Sequence, residues 1–248
     1  MRALCFGVVA VTLIASPAIG QENPAVAVVK KAIDAHGGAD LLNKYKAGEY
    51  QVKGTIGLPF GDTDFTGEVV YQLPDQYRMT LNLDVKSAKI ALVQIANGKN
   101  AKTTVNGETQ KIPEAQKNEA LQAAAMQEMT QLTPLLNDKK YKLKAEKDAE
   151  VGSNPAAVVV VTSEGLKDVT LFFDKKSGLL VKTSRKGLNP EGKDVVEDSV
   201  LTDYKKTDGV QIPMTMTVTH DGKKFMSITV TGAKMLEKVA DPKVFAVE

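Results

Sequence analysis

Between residues 48 and 85, hydrophobic and polar residues alternate with a period of two. Three successive segments carry an apolar side chain at every second position, with mostly acidic residues, threonines and amides between them. Consecutive side chains of a strand point to opposite faces of a sheet, so this alternation predicts antiparallel strands with one covered face and one face in water. The covered face is predicted to contain Tyr50, Val52, Phe65, Val69, Tyr71, Met79, Leu81 and Leu83.

Strand patterns resume in the second half of the chain. Apolar segments between residues 158 and 231 are separated by Lys176-Ser177-Gly178, Asp208-Gly209 and Asp221-Gly222. Such turn residues at short intervals favour hairpins, so we expect a continuous antiparallel meander. No linker rich in Pro, Gly or Ser interrupts the sequence. We therefore predict a single domain over residues 21–248.

Two segments have helical periodicity. Residues 24–45 begin with Pro24, which suits a first helical turn, and His36-Gly37-Gly38 interrupts their pattern. In residues 114–136 apolar side chains recur every three or four positions, and Pro134 is expected to kink or end the last turn. The sequence thus predicts a broken N-terminal helix and one amphipathic helix inserted between two β regions. The apolar stripe of the inserted helix consists of Leu121, Ala125, Met129, Leu132 and Leu136.

The predicted fold class is mainly β with some α (α+β). We expect a large curved antiparallel sheet, or half-open β-barrel, covered by a few helices. A sheet of about ten strands can leave a cavity on its concave side. Met126 and Met129 of the inserted helix join the covered-face residues as candidate ligand-binding residues, because flexible thioethers adapt to irregular apolar ligands. The same methionines could instead fill a core.

The first twenty residues have the features of a secretory signal peptide. Arg2 precedes an apolar run over residues 3–15 that is too short to span a bilayer, and Ala18-Ile19-Gly20 offers small residues for cleavage. A membrane anchor is the alternative interpretation. Cys5 is the only cysteine, so a chain that begins at Gln21 has no thiol and no disulfide. We expect an exported protein of the periplasm or cell envelope.

Composition and charge disfavour most other classes of function. Thirty-two Lys and Arg against 30 Asp and Glu give a net charge of +2, too balanced for a nucleic-acid-binding protein. The two histidines, His36 and His220, are far apart in sequence and expected in solvated turns, and no Gly-x-Ser-x-Gly or His-Glu-x-x-His motif occurs. The sequence therefore predicts no enzyme, no metal and no cofactor.

Three charged features have plain structural interpretations. Asp62 and Asp64 could form a paired-carboxylate site, but their i, i+2 spacing favours a solvated strand face. Residues 187–194 contain the two glycines and the lysine of a phosphate loop, but a strand pattern follows them, which favours a hairpin loop. The lysines between residues 139 and 144 indicate an exposed strand edge, where Lys discourages pairing with another chain.

Several segments resemble the superfamily of periplasmic lipoprotein carriers and outer-membrane lipoprotein-sorting proteins. Residues 67–79 resemble its strand, proline turn and second strand, and Asn97-Gly98-Lys99 resembles the hairpin that follows. Residues 203–205, residues 208–213 and Phe245 resemble its C-terminal part. The resemblance covers nearly the whole mature chain. It implies a half-open β-barrel lidded by helices, which binds an acyl chain, a lipid or a lipidated protein and breaks no bond.

Three functions follow as hypotheses. The first is an exported, monomeric, non-catalytic carrier of an apolar or acylated ligand, such as a lipoprotein, with transient contact to a membrane. The second is a protein-binding or scaffold module of the envelope without lipid cargo, and the third is an enzyme that uses carboxylates outside any known motif. Lipid extracted from the purified protein would favour the first, capture of a protein partner the second, and substrate turnover the third.

We expect processing between Gly20 and Gln21, because small residues end the apolar run there. Intact-mass measurement of the secreted or periplasmic protein checks this expectation: the mass should correspond to residues 21–248. A retained Cys5 carrying acyl groups would contradict it.

Overall fold

The computed structural model describes residues 23–59, 61–85 and 88–247. The signal peptide predicted from the sequence lies outside these residues, as does its cleavage site. Within the described residues the chain forms thirteen strands in one antiparallel sheet, four α-helices and a short 3₁₀ helix. The predicted class, a large curved sheet covered by a few helices, is confirmed.

The sheet consists of two meanders. The first contains β1 (Ala47–Leu58), β2 (Gly61–Gln72), β3 (Gln76–Val85), β4 (Ala88–Asn97), β5 (Asn100–Val105) and β6 (Glu108–Gln110). The second contains β7 (Lys142–Val151), β8 (Asn154–Thr162), β9 (Val169–Asp174), β10 (Leu180–Leu188), β11 (Asp194–Thr207), β12 (Val210–His220) and β13 (Lys223–Leu236). The turns predicted at Asn97-Gly98, Asp208-Gly209 and Asp221-Gly222 join consecutive strands, as expected.

Pairing of β1 with β13 joins the two meanders. β1 pairs with β2 on one side and with β13 on the other, so the strand order is β6-β5-β4-β3-β2-β1-β13-β12-β11-β10-β9-β8-β7. The two ends of the sheet are therefore β6 and β7, which follow each other in the chain but do not pair in the described part of the structure. The barrel remains open between them.

The N-terminal segment forms two helices separated by glycines. Helix α1 (Pro24–His36) begins with Pro24 in its first turn, and the side chain of Asn23 accepts a hydrogen bond from the Ala25 amide. Gly37, at φ 126°, ends the helix, and a Cβ at this position would lie 2.8 Å from the Gly209 carbonyl oxygen. Helix α2 (Ala39–Lys44) follows. The predicted break at His36-Gly37-Gly38 is confirmed.

The inserted segment also forms two helices, where the sequence pattern predicted one. Helix α3 (Glu114–Thr130) ends before Leu132, which has φ 65°, and helix α4 (Thr133–Asn137) follows. The buried amide of Gln131 donates hydrogen bonds to the carbonyl oxygens of Leu42 and Tyr45 at 2.9 and 2.7 Å, which ties the break to the end of α2. Pro134 therefore lies in the first turn of α4 and does not end a helix, because its missing N–H costs nothing at that position.

Helices occupy one half of the concave side. Helices α1, α3 and α4 pack on the inward side chains of β8, β9 and β10 and form the main core. From the helices this core includes Val29, Met129 and Leu132, all fully buried. From the sheet it includes Val159, Val161, Leu171, Phe173 and Leu180. The same core extends to Val210 and Ile212 of β12 and to Met235 of β13, whereas inward side chains of β1, β2 and β3 form a separate apolar cluster around Phe65.

The convex face carries a small separate core. Phe245 of the 3₁₀ helix Pro242–Phe245 is fully buried against Ala47, Val70 and Ile95. Arg78 lies on this face, as the strand register predicted, and its Nη1 donates a hydrogen bond to the Val244 carbonyl oxygen at 3.1 Å. The C-terminal segment is therefore held to the outside of the sheet.

The structure also agrees with the interpretations of the charged features. Asp62 and Asp64 are exposed on β2, and residues 189–193 form the loop of the hairpin that joins β10 to β11. Lys142 and Lys144 are exposed on β7, which is an edge strand. None of these features contributes to the concave side.

Two glycines allow neighbouring strands to approach closely where the sheet bends. A Cβ at Gly54 would lie 1.8 Å from the Ser227 carbonyl oxygen and 2.9 Å from the Phe65 ring. A Cβ at Gly67 would lie 2.2 Å from the Thr80 carbonyl oxygen. No side chain fits at these distances, so both positions require glycine if the sheet is to keep its curvature.

We expect Gly54→Ala to lower the free energy of unfolding by about 1–3 kcal/mol, because the new methyl group forces β1 and β13 apart. Gly232→Ala is the matched control, since a Cβ there would meet nothing closer than 3.6 Å. Urea unfolding of both variants measures the difference. Equal stability of the two variants would contradict the packing argument.

Candidate functional site

A cavity of about 380 Å³ lies between the concave face of the sheet and helix α3. Its volume falls in the range of roughly 300–1,000 Å³ that is usual for small-molecule sites. The strands supply most of its apolar wall, and α3 supplies Ala123 and Met126. The apolar strand residues that line it are Val52, Phe65, Val69, Met79, Leu81, Leu180, Leu201, Val210, Ile212, Pro213, Met216, Val218, Phe225, Met226, Ile228 and Val230.

The structure brings most of the sequence-predicted residues to this cavity. Those that line it are Val52, Phe65, Val69, Met79, Leu81 and Met126. Tyr71, Leu83 and Met129 lie elsewhere. The ring of Tyr71 packs against Gly48, Leu83 is buried in the cluster around Phe65, and Met129 is part of the main core.

Sequence reasoning did not assign the second wall of the cavity. This wall comes from β12 and β13, where Ile212, Met216, Val218, Met226 and Ile228 face the same space as β1 to β3. The alternation of apolar and polar residues in β12 was a sufficient signal for the orientation of its side chains. The sequence does not indicate where β12 lies in the barrel, because that position depends on the pairing of β1 with β13.

Most polar side chains in the cavity are neutral. Tyr50 lines the cavity, and its hydroxyl group lies 3.4 Å from that of Tyr71, which is outside the lining; burial raises the pKa of both phenols. Burial also raises the pKa of Tyr77 to about 12. At neutral pH these phenols are therefore uncharged, as an apolar ligand requires.

His36 is buried at the cavity, which corrects the expectation of a solvated turn. Its Nδ1 donates a hydrogen bond to the Ala32 carbonyl oxygen at 2.8 Å, and its ring meets the Tyr204 ring edge-on at 5.7 Å between centroids. Burial lowers the pKa of His36 and outweighs the hydrogen bond to Ala32, which raises it. The imidazole is therefore neutral at pH 7.

A cluster of charged side chains interrupts the apolar wall. Arg185 on β10 and Glu197 on β11 both line the cavity, and the Arg185 guanidinium contacts Glu197 Oε1 through Nε at 3.0 Å and Nη2 at 2.9 Å. Nη1 of Arg185 also donates to Glu119 Oε2 at 2.6 Å, and Glu119 Oε1 accepts from Lys167 Nζ at 2.5 Å. The cluster thus pairs two cations with two carboxylates, one of which belongs to α3.

These contacts fasten the N-terminal half of α3. Burial alone raises the pKa of the Glu119 carboxyl, but the hydrogen bonds and positive charges of Lys167 and Arg185 hold that pKa below its usual value. Glu119 is therefore ionised at neutral pH. One turn later, the amide of Gln122 accepts from the Lys167 N–H at 2.9 Å and donates to the Lys167 carbonyl oxygen at 3.3 Å.

The C-terminal half of α3 is held differently. Glu128 is buried, and its Oε2 accepts hydrogen bonds from Lys140 Nζ at 2.6 Å and from the Tyr141 hydroxyl at 2.5 Å. Ala125 and Met129 also pack in the main core. This half of the helix is therefore anchored by apolar burial in addition to polar contacts.

A second depression, of about 860 Å³, lies on the outer side of α3. It occupies the gap between the two ends of the sheet, from the turns at Pro74 and Gly98 to the start of β7. Leu121, Ala124 and Leu166 form its apolar part, and lysines and carboxylates surround them. Helix α3 thus separates an outer polar groove from an inner apolar cavity.

The described residues contain neither a metal-binding cluster nor a membrane-spanning helix. No group of three or more His, Cys, Asp or Glu in that part of the chain is placed to hold a metal ion. None of its helices is long and apolar enough to cross a membrane.

Comparison with known proteins identifies the fold. No family profile matches the chain, and no curated protein matches it in sequence. A LolA superfamily protein from Nitrosomonas europaea superposes with a TM-score of 0.58 at 10% identity, covering 90% of this chain and 97% of the other. A DUF1329 family protein from Desulfovibrio piger gives a TM-score of 0.58 at 10% identity, covering 91% and 98%.

A third solved structure agrees with these two. It is a domain from Vibrio parahaemolyticus named for outer membrane lipoprotein sorting, with a TM-score of 0.56 at 10% identity and coverage of 89% and 95%. The resemblance noted in the sequence is thus confirmed at the level of the fold: this chain has the open β-barrel of the LolA superfamily.

Proposed function

We propose that this protein is an exported, non-catalytic carrier that holds an acyl chain or lipid between the concave face of its sheet and helix α3. The observation that carries the proposal is the cavity of about 380 Å³ with its nearly continuous apolar wall. The shared fold with a lipoprotein-sorting domain supports the same class of ligand. The signal peptide predicted from the sequence is consistent with work in the periplasm or envelope.

The composition of the wall favours an irregular aliphatic ligand. Met79, Met126, Met216 and Met226 face the cavity from three sides, and all four side chains remain partly accessible. Thioether side chains rearrange at low cost, so they can follow chains of different length. Burial of an acyl chain removes the apolar surface of both ligand and wall from water, at roughly 25 cal/mol per Å².

Helix α3 serves in this proposal as a cover with one movable half. Residues 114–118 are mostly exposed, and Ala120 is fully buried. Glu119 and Gln122 hold this half of the helix through polar contacts to Arg185 on β10 and to Lys167 in the loop between β8 and β9. Its C-terminal half is anchored by Met129 in the main core. Opening would therefore occur about the anchored end, without unfolding the core. The contrasting possibility is a fixed plug, that is, a helix that stays docked under all conditions and only fills the core.

The cavity wall is tested by a charge placed inside it. We expect Met79→Asp to weaken amphiphile binding at least about tenfold, because an unpaired carboxylate in an apolar site costs several kcal/mol. Asn82→Asp introduces the same charge on the exposed convex face of the same strand and should bind normally. Calorimetric titration with monolauroylglycerol measures binding, and thermal unfolding shows whether each variant is folded.

Mass spectrometry of organic extracts from purified wild-type protein complements this titration. Lipid is expected in the wild-type extract and should be depleted in that of Met79→Asp. Absence of lipid together with unchanged titration of Met79→Asp would contradict the carrier proposal. Stoichiometric capture of an envelope protein by a lipid-free chain would instead support the scaffold alternative.

The movable cover is tested by hydrogen exchange with and without monolauroylglycerol. We expect faster exchange across residues 114–122 when the ligand is present, because the ligand displaces the N-terminal half of α3, and no change in residues 158–161 of β8. A fixed plug predicts that neither segment changes its exchange rate when the ligand is added.

A cross-link tests the same movement. Glu119→Cys with Lys167→Cys, joined by a short bifunctional thiol-reactive reagent, should block uptake, and the same variant without the reagent should bind. Uptake by the cross-linked protein would contradict a moving cover.

A further inference from the structure

We infer that the ligand carries an anionic headgroup, a carboxylate or a phosphate, which takes the place of the Glu119 carboxylate beside Arg185. This inference rests on the proposed function and names the class of ligand that the cavity selects. Three observations support it: the location of Arg185 in the cavity wall, the origin of its two partners, and the charge that remains when one partner leaves.

Arg185 is positioned by the sheet alone. It lies opposite Glu197 in the pairing of β10 with β11, and its guanidinium contacts Glu197 through Nε and Nη2. This pair persists whether or not α3 is docked, because both residues belong to the sheet. Only 11% of the Arg185 side chain is exposed. The cation therefore depends on protein partners more than on water.

The remaining partner of Arg185 comes from the cover. Nη1 of the guanidinium donates to Glu119 Oε2, while Glu119 Oε1 accepts from Lys167. Ala123, one helical turn after Glu119, already lines the cavity. When the N-terminal half of α3 moves away, Glu119 leaves, and both Arg185 and Lys167 lose a carboxylate at the mouth of an apolar cavity.

The balance of charge then favours an anion. With Glu119 in place, two cations face two carboxylates. Without it, Arg185 keeps Glu197 through Nε and Nη2, Lys167 loses its carboxylate, and two cations remain with one carboxylate. His220 Nε2 also lies 3.3 Å from Glu197 Oε2. Lys182 and Asp198 pair with each other on the opposite face of these strands. Nη1 of the guanidinium, whose side chain is only 11% exposed, then lacks its acceptor, and the site has one cation more than carboxylates, so the vacated position attracts a negative group.

The guanidinium also has the geometry for such a group. Its planar arrangement of N–H donors matches the oxygens of a carboxylate or phosphate, which an ammonium headgroup could not use. A cationic headgroup would meet only Glu197, which Arg185 already occupies. From Arg185 the wall continues through Ser199 to Leu201, Met216 and Val218, so a chain attached to the headgroup would lie along apolar residues.

The test compares amphiphiles that share one chain and differ in the headgroup. The mature protein is titrated by calorimetry with dodecanoate, dodecyl phosphate, dodecyltrimethylammonium and neutral monolauroylglycerol. We expect the anionic probes to bind about tenfold more tightly than the neutral one, the ratio given by a charge-assisted hydrogen bond. Comparison of the affinities for dodecanoate and dodecyl phosphate then distinguishes a fatty acid from a phospholipid as the source of the headgroup.

Two variants assign the effect to this pair. Glu119→Gln removes the competing carboxylate and should increase the preference for anionic over neutral probes. Glu119→Gln combined with Arg185→Gln removes one carboxylate and one cation together, so the net charge of the cluster is unchanged, and should abolish the preference. Lys186→Gln removes an exposed charge next to Arg185 in the chain and should leave the preference unchanged.

The outcomes separate the inference from the proposed function. Equal affinity for anionic and neutral probes would overturn the headgroup assignment and leave the carrier function standing. A preference that persists in the double variant would also overturn the role of Arg185. Failure of every probe to bind would overturn the inference and the proposed function together.

Discussion

The structure depends on one topological constraint: the two strands that form the ends of the sheet are neighbours in the chain. β6 and β7 lie at opposite ends of a thirteen-stranded order, so residues 111–141 must connect one end with the other. Helix α3 has 17 residues and is about 25 Å long, which is enough to cross the open side of a half-closed barrel. It contacts β3, β4 and β5 at one side and β10 at the other. The cover over the cavity is thus a consequence of the chain path.

The same connection divides the concave side into a packed half and an accessible half. Leu132 and Met129 fill the space over β8 and β9 together with α1, and there the apolar surface is fully removed from water. Against β1, β2, β12 and β13 the helices contribute Leu42, Ala123 and Met126 but do not fill the space, and the cavity remains. A protein interior normally packs without voids of this volume. The retained space does not serve packing, and the proposed binding function rests on it.

The two halves of α3 differ in what holds them. The C-terminal half buries Met129 and Glu128, and its separation from the core would expose apolar surface and leave a carboxylate without partners. The N-terminal half buries the small side chain of Ala120 and is otherwise held by Glu119 and Gln122, whose partners are charged or polar groups that a ligand or water can replace. Polar contacts exchange partners more readily than apolar surfaces separate. In the proposed function this difference gives the helix a fixed end and a movable end, and Arg185 lies beside the movable end.

The sequence by itself determined the local features of this protein. Alternation placed Val52, Met79 and Leu81 on the covered face, Gly37 marked the end of α1, and the turn residues marked the hairpins, because each depends only on a few consecutive residues. Tertiary structure alone decided the rest. The pairing of β1 with β13 joins segments at opposite ends of the chain, and Glu119 reaches Arg185 across 66 positions. Met126 and Met129 were both predicted to bind the ligand, yet Met129 packs in the core and Met126 lines the cavity, because the outcome depends on which strands lie beneath each part of the helix, and only the tertiary structure decides that.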